Sequence, residues 1–108
     1  MTVQEDMCAA VARRAVVRIT HDKDPPGTSR TGEPHIVYES SAGNVLVDLY
    51  QTGGYSPSEQ PPMWRPIALA DVRSVVVLDD CFKPRPTYNP DNRSRYRRII
   101  CAVSRSRV

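Results

Sequence analysis

The stretch "LYQTGGYSPSEQPPMWRPIAL", residues 49–69, holds three flat side chains, Tyr50, Tyr55 and Trp64, around a run of Gly, Ser and Pro. Aromatic faces of this kind can stack on a nucleobase or another planar ligand, worth about 1–3 kcal/mol per stacked base. Gly53-Gly54 lets the backbone take positive φ or come close to a ligand. A hairpin needs only a few residues to turn, so a connection this long points to function. The structural alternative is that Tyr55 and Trp64 fold back and cover one open end of the domain.

A second group is basic. Residues 1–82 carry seven basic and eleven acidic side chains, net −4, whereas residues 83–108 carry eight basic and one acidic, net +7. The overall +3 therefore conceals a positive C-terminus able to attract an anionic partner through its field. In "RSRYRRIICAVSRSR", Arg93, Arg97, Arg98, Arg105 and Arg107 are candidate contacts to a nucleic-acid backbone. The alternative is the solvated side of an amphipathic helix with a frayed tail.

Catalysis is not indicated. "GGYSPS" departs from the nucleophile elbow G-x-S-x-G. Asp79 and Asp80 are adjacent, so on a strand they point to opposite faces. No H-E-x-x-H, P-loop or G-x-G-x-x-G is present, and no enzyme or cofactor is expected. Cys8, Cys81 and Cys101 are odd in number and widely spaced, without a C-x-x-C pair. They are expected as small buried hydrophobes, neither a disulfide framework nor a metal site.

These groups need a scaffold. At 108 residues the chain is one domain with one modest core. No apolar run approaches the roughly 20 residues of a membrane span, and the acidic start is unlike a secretory signal, so a cytoplasmic protein is expected. Residues 1–14 predict a helix: Thr2 and Glu5 match a capping box, and Val3, Met7 and Val11 form one apolar stripe. Five strands are predicted at 15–21, 33–39, 45–51, within 64–72, and at 73–79, separated by a loop at 22–32, the turn "SSAGN" and the long loop. Pro34 is expected near a strand start, and Pro66 on an edge strand or at a bulge. "KPRPTYNP" excludes regular structure. Asn89-Pro90-Asp91 then reads as a helix entry, with Tyr96, Ile99, Ile100 and Val103 at helical spacing, predicting a second helix over about 90–104. The fold class expected is mainly β (α+β): a small five-stranded barrel over residues 15–82, with an N-terminal helix, and an irregular segment plus basic helix over 83–108.

Arg30, Glu33-Pro34-His35, Tyr50-Gln51, Gly54-Tyr55-Ser56, Trp64-Arg65 and the strand ending near Phe82 together resemble the WYL domain, in particular short free-standing bacterial members. The resemblance covers about residues 15–82. At the positions of the naming tripeptide stand Val45-Leu46-Val47, and no helix-turn-helix is read in the chain. The resemblance implies an SH3-like or Sm-like barrel and a non-enzymatic, ligand-sensing role in transcription regulation. It further implies that Arg30, His35 and Arg65 converge near Tyr50, Gln51, Tyr55 and Trp64 to bind an anion, a nucleotide or single-stranded nucleic acid. Two structural readings stay open: Glu33 pairs with Arg30 to lock it, and His35 is a satisfied strand residue. A different class of function also stays open, a structural protein that self-associates as a homodimer or docks on a larger complex.

Overall fold

In the computed structural model, residues 2–104 are described. Helix α1 (Val3–Arg13) starts as its capping box requires: Thr2 Oγ1 accepts from the Glu5 N–H, and Glu5 Oε1 accepts from the Thr2 N–H. Arg14, left-handed at φ 53°, closes it. Met7, Ala10 and Val11 are its buried face, and Val3 packs beside them.

Six antiparallel strands form one sheet: β1 (Ala15–His21), β2 (Arg30–Glu39), β3 (Val45–Gly54), β4 (Met63–Ala68), β5 (Val72–Cys81) and β6 (Arg98–Ala102). Their order is β4-β3-β2-β1-β5, with a 3₁₀ turn (Leu69–Asp71) joining β4 to β5. β2 is the hub. One edge pairs with β3 along its length; the other pairs first with β1, at Arg30–Gly32, and then with β6, at Ile36–Glu39. Pro34, which has no N–H, stands where that second edge passes from β1 to β6. It is thus mid-strand rather than near the start, because β2 begins three residues earlier than expected. Pro66 lies on β4, an end strand, as expected. Val17, Ile19, Ile36, Val37, Val47 and Leu49 form one buried core together with Met7, Ala10 and Val11 of α1.

Two sequence expectations fail. The second helix is absent among the described residues: residues 98–102 are a strand paired with β2, so the described chain has six strands in its sheet and one α-helix. Helical spacing of Tyr96, Ile99, Ile100 and Val103 was a coincidence of a β-branched run, and β2 offered an open edge that satisfies the backbone better than an isolated amphipathic turn. Cys8 and Cys101, 93 residues apart, form a disulfide that ties α1 to β6, while Cys81 is exposed. Neither proximity is visible in spacing along the chain.

Gly54 is required by its position. Its φ is +88°, and a β-carbon there would run into the Ser29 carbonyl oxygen and Arg30 Cα. Gly54→Ala is expected to lower stability by about 1–3 kcal/mol, read from the midpoint of urea unfolding.

Candidate ligand-binding cleft

After β5 the chain crosses back over β3 and β4 as an irregular strap, residues 82–97, before entering β6. Arginines fasten this segment and the start of β6 to acids of the sheet. Arg85 forks onto Glu33, with Nε and Nη2 each 2.7 Å from a carboxylate oxygen. Arg95 forks onto Asp48 at 2.9 and 2.8 Å. Arg98 donates to Glu39 at 2.8 Å. Such planar, two-point pairs fix orientation as well as charge. Three arginines of the basic end, Arg85, Arg95 and Arg98, thus neutralise acids of the strands beneath it.

Asp48 is the deepest of these anchors. Tyr38 Oη and Tyr96 Oη donate to its two oxygens at 2.8 and 2.7 Å, in addition to the Arg95 fork. Burial, then the bond to the carboxylate, raises both phenols above the ordinary tyrosine range. The Arg95 guanidinium stands 5.8 Å from the centre of each phenol ring.

His35 is fully buried and sits among rings: 4.7 Å from Trp64, 4.8 Å from Phe82 and 5.0 Å from Tyr88 between centroids. Its Nδ1 lies 2.9 Å from the Glu33 carbonyl oxygen, and its Nε2 accepts the Arg85 main-chain N–H at 3.1 Å. That pattern assigns a neutral ring protonated at Nδ1. Burial pushes its pKa below the usual value near 6.5. The unfolded chain then binds a proton that the folded chain refuses. The His35 contribution is complete above about pH 7, is lost as pH falls below about 6.5, and levels off below the folded value. His35→Gln is expected to flatten unfolding free energy between about pH 7 and 5.5 relative to the parent chain, measured by urea denaturation at each pH.

Between β3, β4 and the strap lies a cleft of about 320 Å³, lined by Asp48, Trp64, Thr87, Tyr88, Asn89, Asn92, Arg95 and Tyr96. That is the lower end of the small-ligand range. Trp64 Nε1 donates to Thr87 Oγ1 at 2.7 Å, which closes one end. Asn89 and Asn92 shape the wall: Asn89 Oδ1 accepts the Asp91 N–H and Asn92 Oδ1 the Arg95 N–H. An open hollow lined by Tyr38, Ser40, Ser41, Leu46, Pro66 and Ser94 meets the cleft at Asn92 and Arg95. A third hollow beyond Tyr96 is bordered by Arg93, Arg97 and Ile99.

The residues singled out in the sequence separate into groups. His35, Tyr50 and Trp64 do meet, with Tyr50 edge-on to Trp64 at 5.3 Å and capped by the Arg85 guanidinium at 4.4 Å. Gln51 is buried and holds the loop, donating to the Gly53 and Tyr55 carbonyl oxygens at 3.1 and 2.8 Å. Tyr55 accepts that bond and donates its own N–H to Ser29. Arg65 Nη2 donates to Ser56 and Ser58. Arg30 is buried and forks onto Asp24 at 2.8 and 2.7 Å, which holds the Asp24 carboxyl below its usual range. Its partner is thus Asp24, whereas Glu33 takes Arg85, contrary to the expected Arg30–Glu33 pair. Arg30 and Arg65 engage separate partners and do not converge on the cleft. Arg93 and Arg97 are exposed, Arg98 is paired with Glu39, and Arg105 and Arg107 lie outside the described residues.

Of the cleft lining only Trp64 was foreseen. Asp48 carried a readable signal, a carboxylate inside the apolar strand "VLVDLY", which needs a buried partner. Tyr88, Asn92, Arg95 and Tyr96 were hidden by the helical reading of the segment.

Among the described residues no group of three or more His, Cys, Asp or Glu side chains is arranged to hold a metal ion. Among the same residues, no helix is long and apolar enough to cross a membrane. The chain matches no family model, no curated protein and no solved structure.

Proposed function

We propose that this chain is a non-enzymatic ligand-sensing or regulatory module that binds a nucleotide or single-stranded nucleic acid, with a base in the cleft beside Trp64. The observation that carries the reading is the cleft itself, whose lining brings together Trp64, Tyr88 and Tyr96 with the amide-bearing Asn89 and Asn92. Rings grip any base through its π face, and amides read its polar edge. The exposed Arg93 and Arg97 border the adjoining hollow, where phosphates would gain from their charge. The strand order, with a 3₁₀ turn linking the two end strands, supports an SH3-like or Sm-like barrel to which β6 is added. The WYL resemblance points the same way. If the protein works in the reducing cytoplasm, it works with Cys8 and Cys101 as thiols.

The test is fluorescence anisotropy with labelled mononucleotides and short single-stranded oligonucleotides at two salt concentrations. Saturable binding that weakens with salt is expected for the oligonucleotides. Trp64→Ala should reduce affinity about tenfold or more while circular dichroism stays unchanged. Absence of binding at either salt concentration overturns the reading, and global unfolding of the variant assigns Trp64 to the core instead.

A further inference from the structure

β5 is an end strand: it pairs with β1 on one edge, and among the described residues no strand pairs with the other. Its sequence is "VRSVVVLDDC". Four consecutive apolar residues, Val75 to Leu78, usually mark a strand covered on both faces. Here not one residue from Arg73 to Cys81 is fully buried, and Val76 is 45% exposed, one of two large exposed hydrophobics among the described residues. The neighbouring β1, by contrast, has Val17 and Ile19 completely covered. β5 thus exposes more apolar surface than its composition leads one to expect, beside a row of main-chain groups that another strand can use.

The pattern of charge says which strand. Arg73 precedes Val76 by three residues and Asp79 follows it by three. Antiparallel pairing of this segment with its own copy, about a two-fold axis through Val76, sets Arg73 opposite Asp79 twice, Val75 opposite Val77 twice, and Val76 against Val76. A two-fold interface requires such self-complementarity, and opposite charges at facing positions favour this register over neighbouring ones. Arg73 already donates through Nε to Asp22 at 3.0 Å, but its side chain is 70% exposed and its remaining guanidinium N–H groups can take a second carboxylate. The regular pairing of β5 with β1 spans Ser74–Val77, at the centre of the matched stretch, and Arg73 and Asp79 stand just beyond it, beside the register shifts.

We propose that β5 joins edge to edge with β5 of a second copy of this chain, forming an antiparallel two-fold dimer centred on Val76. This is independent of the cleft, which lies against β4 and the strap.

Light scattering coupled to size-exclusion chromatography tests it, on the Cys81→Ser chain to prevent adventitious cross-linking. The expected mass is twice the 12.1 kDa of one chain. Val76→Lys should give a monomer with an unchanged circular dichroism spectrum, whereas Ile99→Lys should leave the dimer intact. Arg73→Asp and Asp79→Arg should each weaken the dimer, and the double exchange should restore it. Val76→Cys should cross-link across the axis on mild oxidation. A monomer at every concentration overturns the proposal. A dimer that survives Val76→Lys, or a double exchange that does not recover, places the contact elsewhere and overturns it equally.

Discussion

Replacing Cys8 and Cys101 together by serine is expected to lower the unfolding free energy by about 4 kcal/mol. The bond closes a loop of 93 residues of separation, nearly the whole described chain, so the cross-linked unfolded state is far more restricted than the open one. α1 has only 11 residues and is too short to persist alone in water. It stays helical because Met7, Ala10 and Val11 are docked on the sheet, and the disulfide keeps that docking local. Equilibrium urea unfolding measures the effect. The midpoint should fall and the slope should rise, since the uncrosslinked chain exposes more surface. A loss below about 1 kcal/mol would mean that the uncrosslinked unfolded chain retains enough structure to keep its ends close without the bond.

Asp48→Ala is the second large effect, a loss of about 3–4 kcal/mol. The carboxylate accepts from Tyr38, Tyr96 and, twice, from Arg95. Removing it leaves the hydroxyls of two buried tyrosines without their acceptor. Arg95 is 42% exposed and can turn outward, which keeps the loss below that of a wholly buried pair. The midpoint of thermal unfolding should drop by about 10–20 °C. Arg95→Ala should cost less, and the double variant should cost less than the sum, because the two changes remove the same pair. Additive losses would show that the tyrosines, not the arginine, carry the contribution of Asp48. Ligand binding in the cleft should fall with either variant, since Asp48 and Arg95 both hold the strap that walls it.

Much of the scaffold was legible because it rests on local rules. The Thr2–Glu5 box begins α1, alternation in "VLVDLYQ" marks β3, and Pro66 announces an end strand. The failures share a cause: each depended on a partner distant in sequence. Residues 98–102 have a pattern compatible with helix, and only the vacant half of the β2 edge makes them a strand. Cys8 finds Cys101, and Arg30 chooses Asp24 over the nearer Glu33, because the fold aims those groups at one another. The candidate site suffered the same way. Planar side chains at Tyr50 and Trp64 were readable from composition, but the wall opposite Trp64 comes from Tyr88 to Tyr96, whose position follows from buried ion pairs. The excess of arginine near the C-terminus reads as a surface for phosphates; among the described residues, Arg85, Arg95 and Arg98 fasten the strap and β6 to acids of the sheet, and Arg93 and Arg97 are exposed.

The division of one β2 edge between β1 and β6 has a consequence for biosynthesis. While the polypeptide is being translated, β1 to β5 leave the ribosome well before residues 98–102 do. Until then the nascent chain displays one edge of the Ile36–Glu39 backbone unpaired, with Glu39 lacking its arginine and the strap not yet held down by β6. This interval, rather than the finished protein, is when chaperones or aggregation partners find the most to bind.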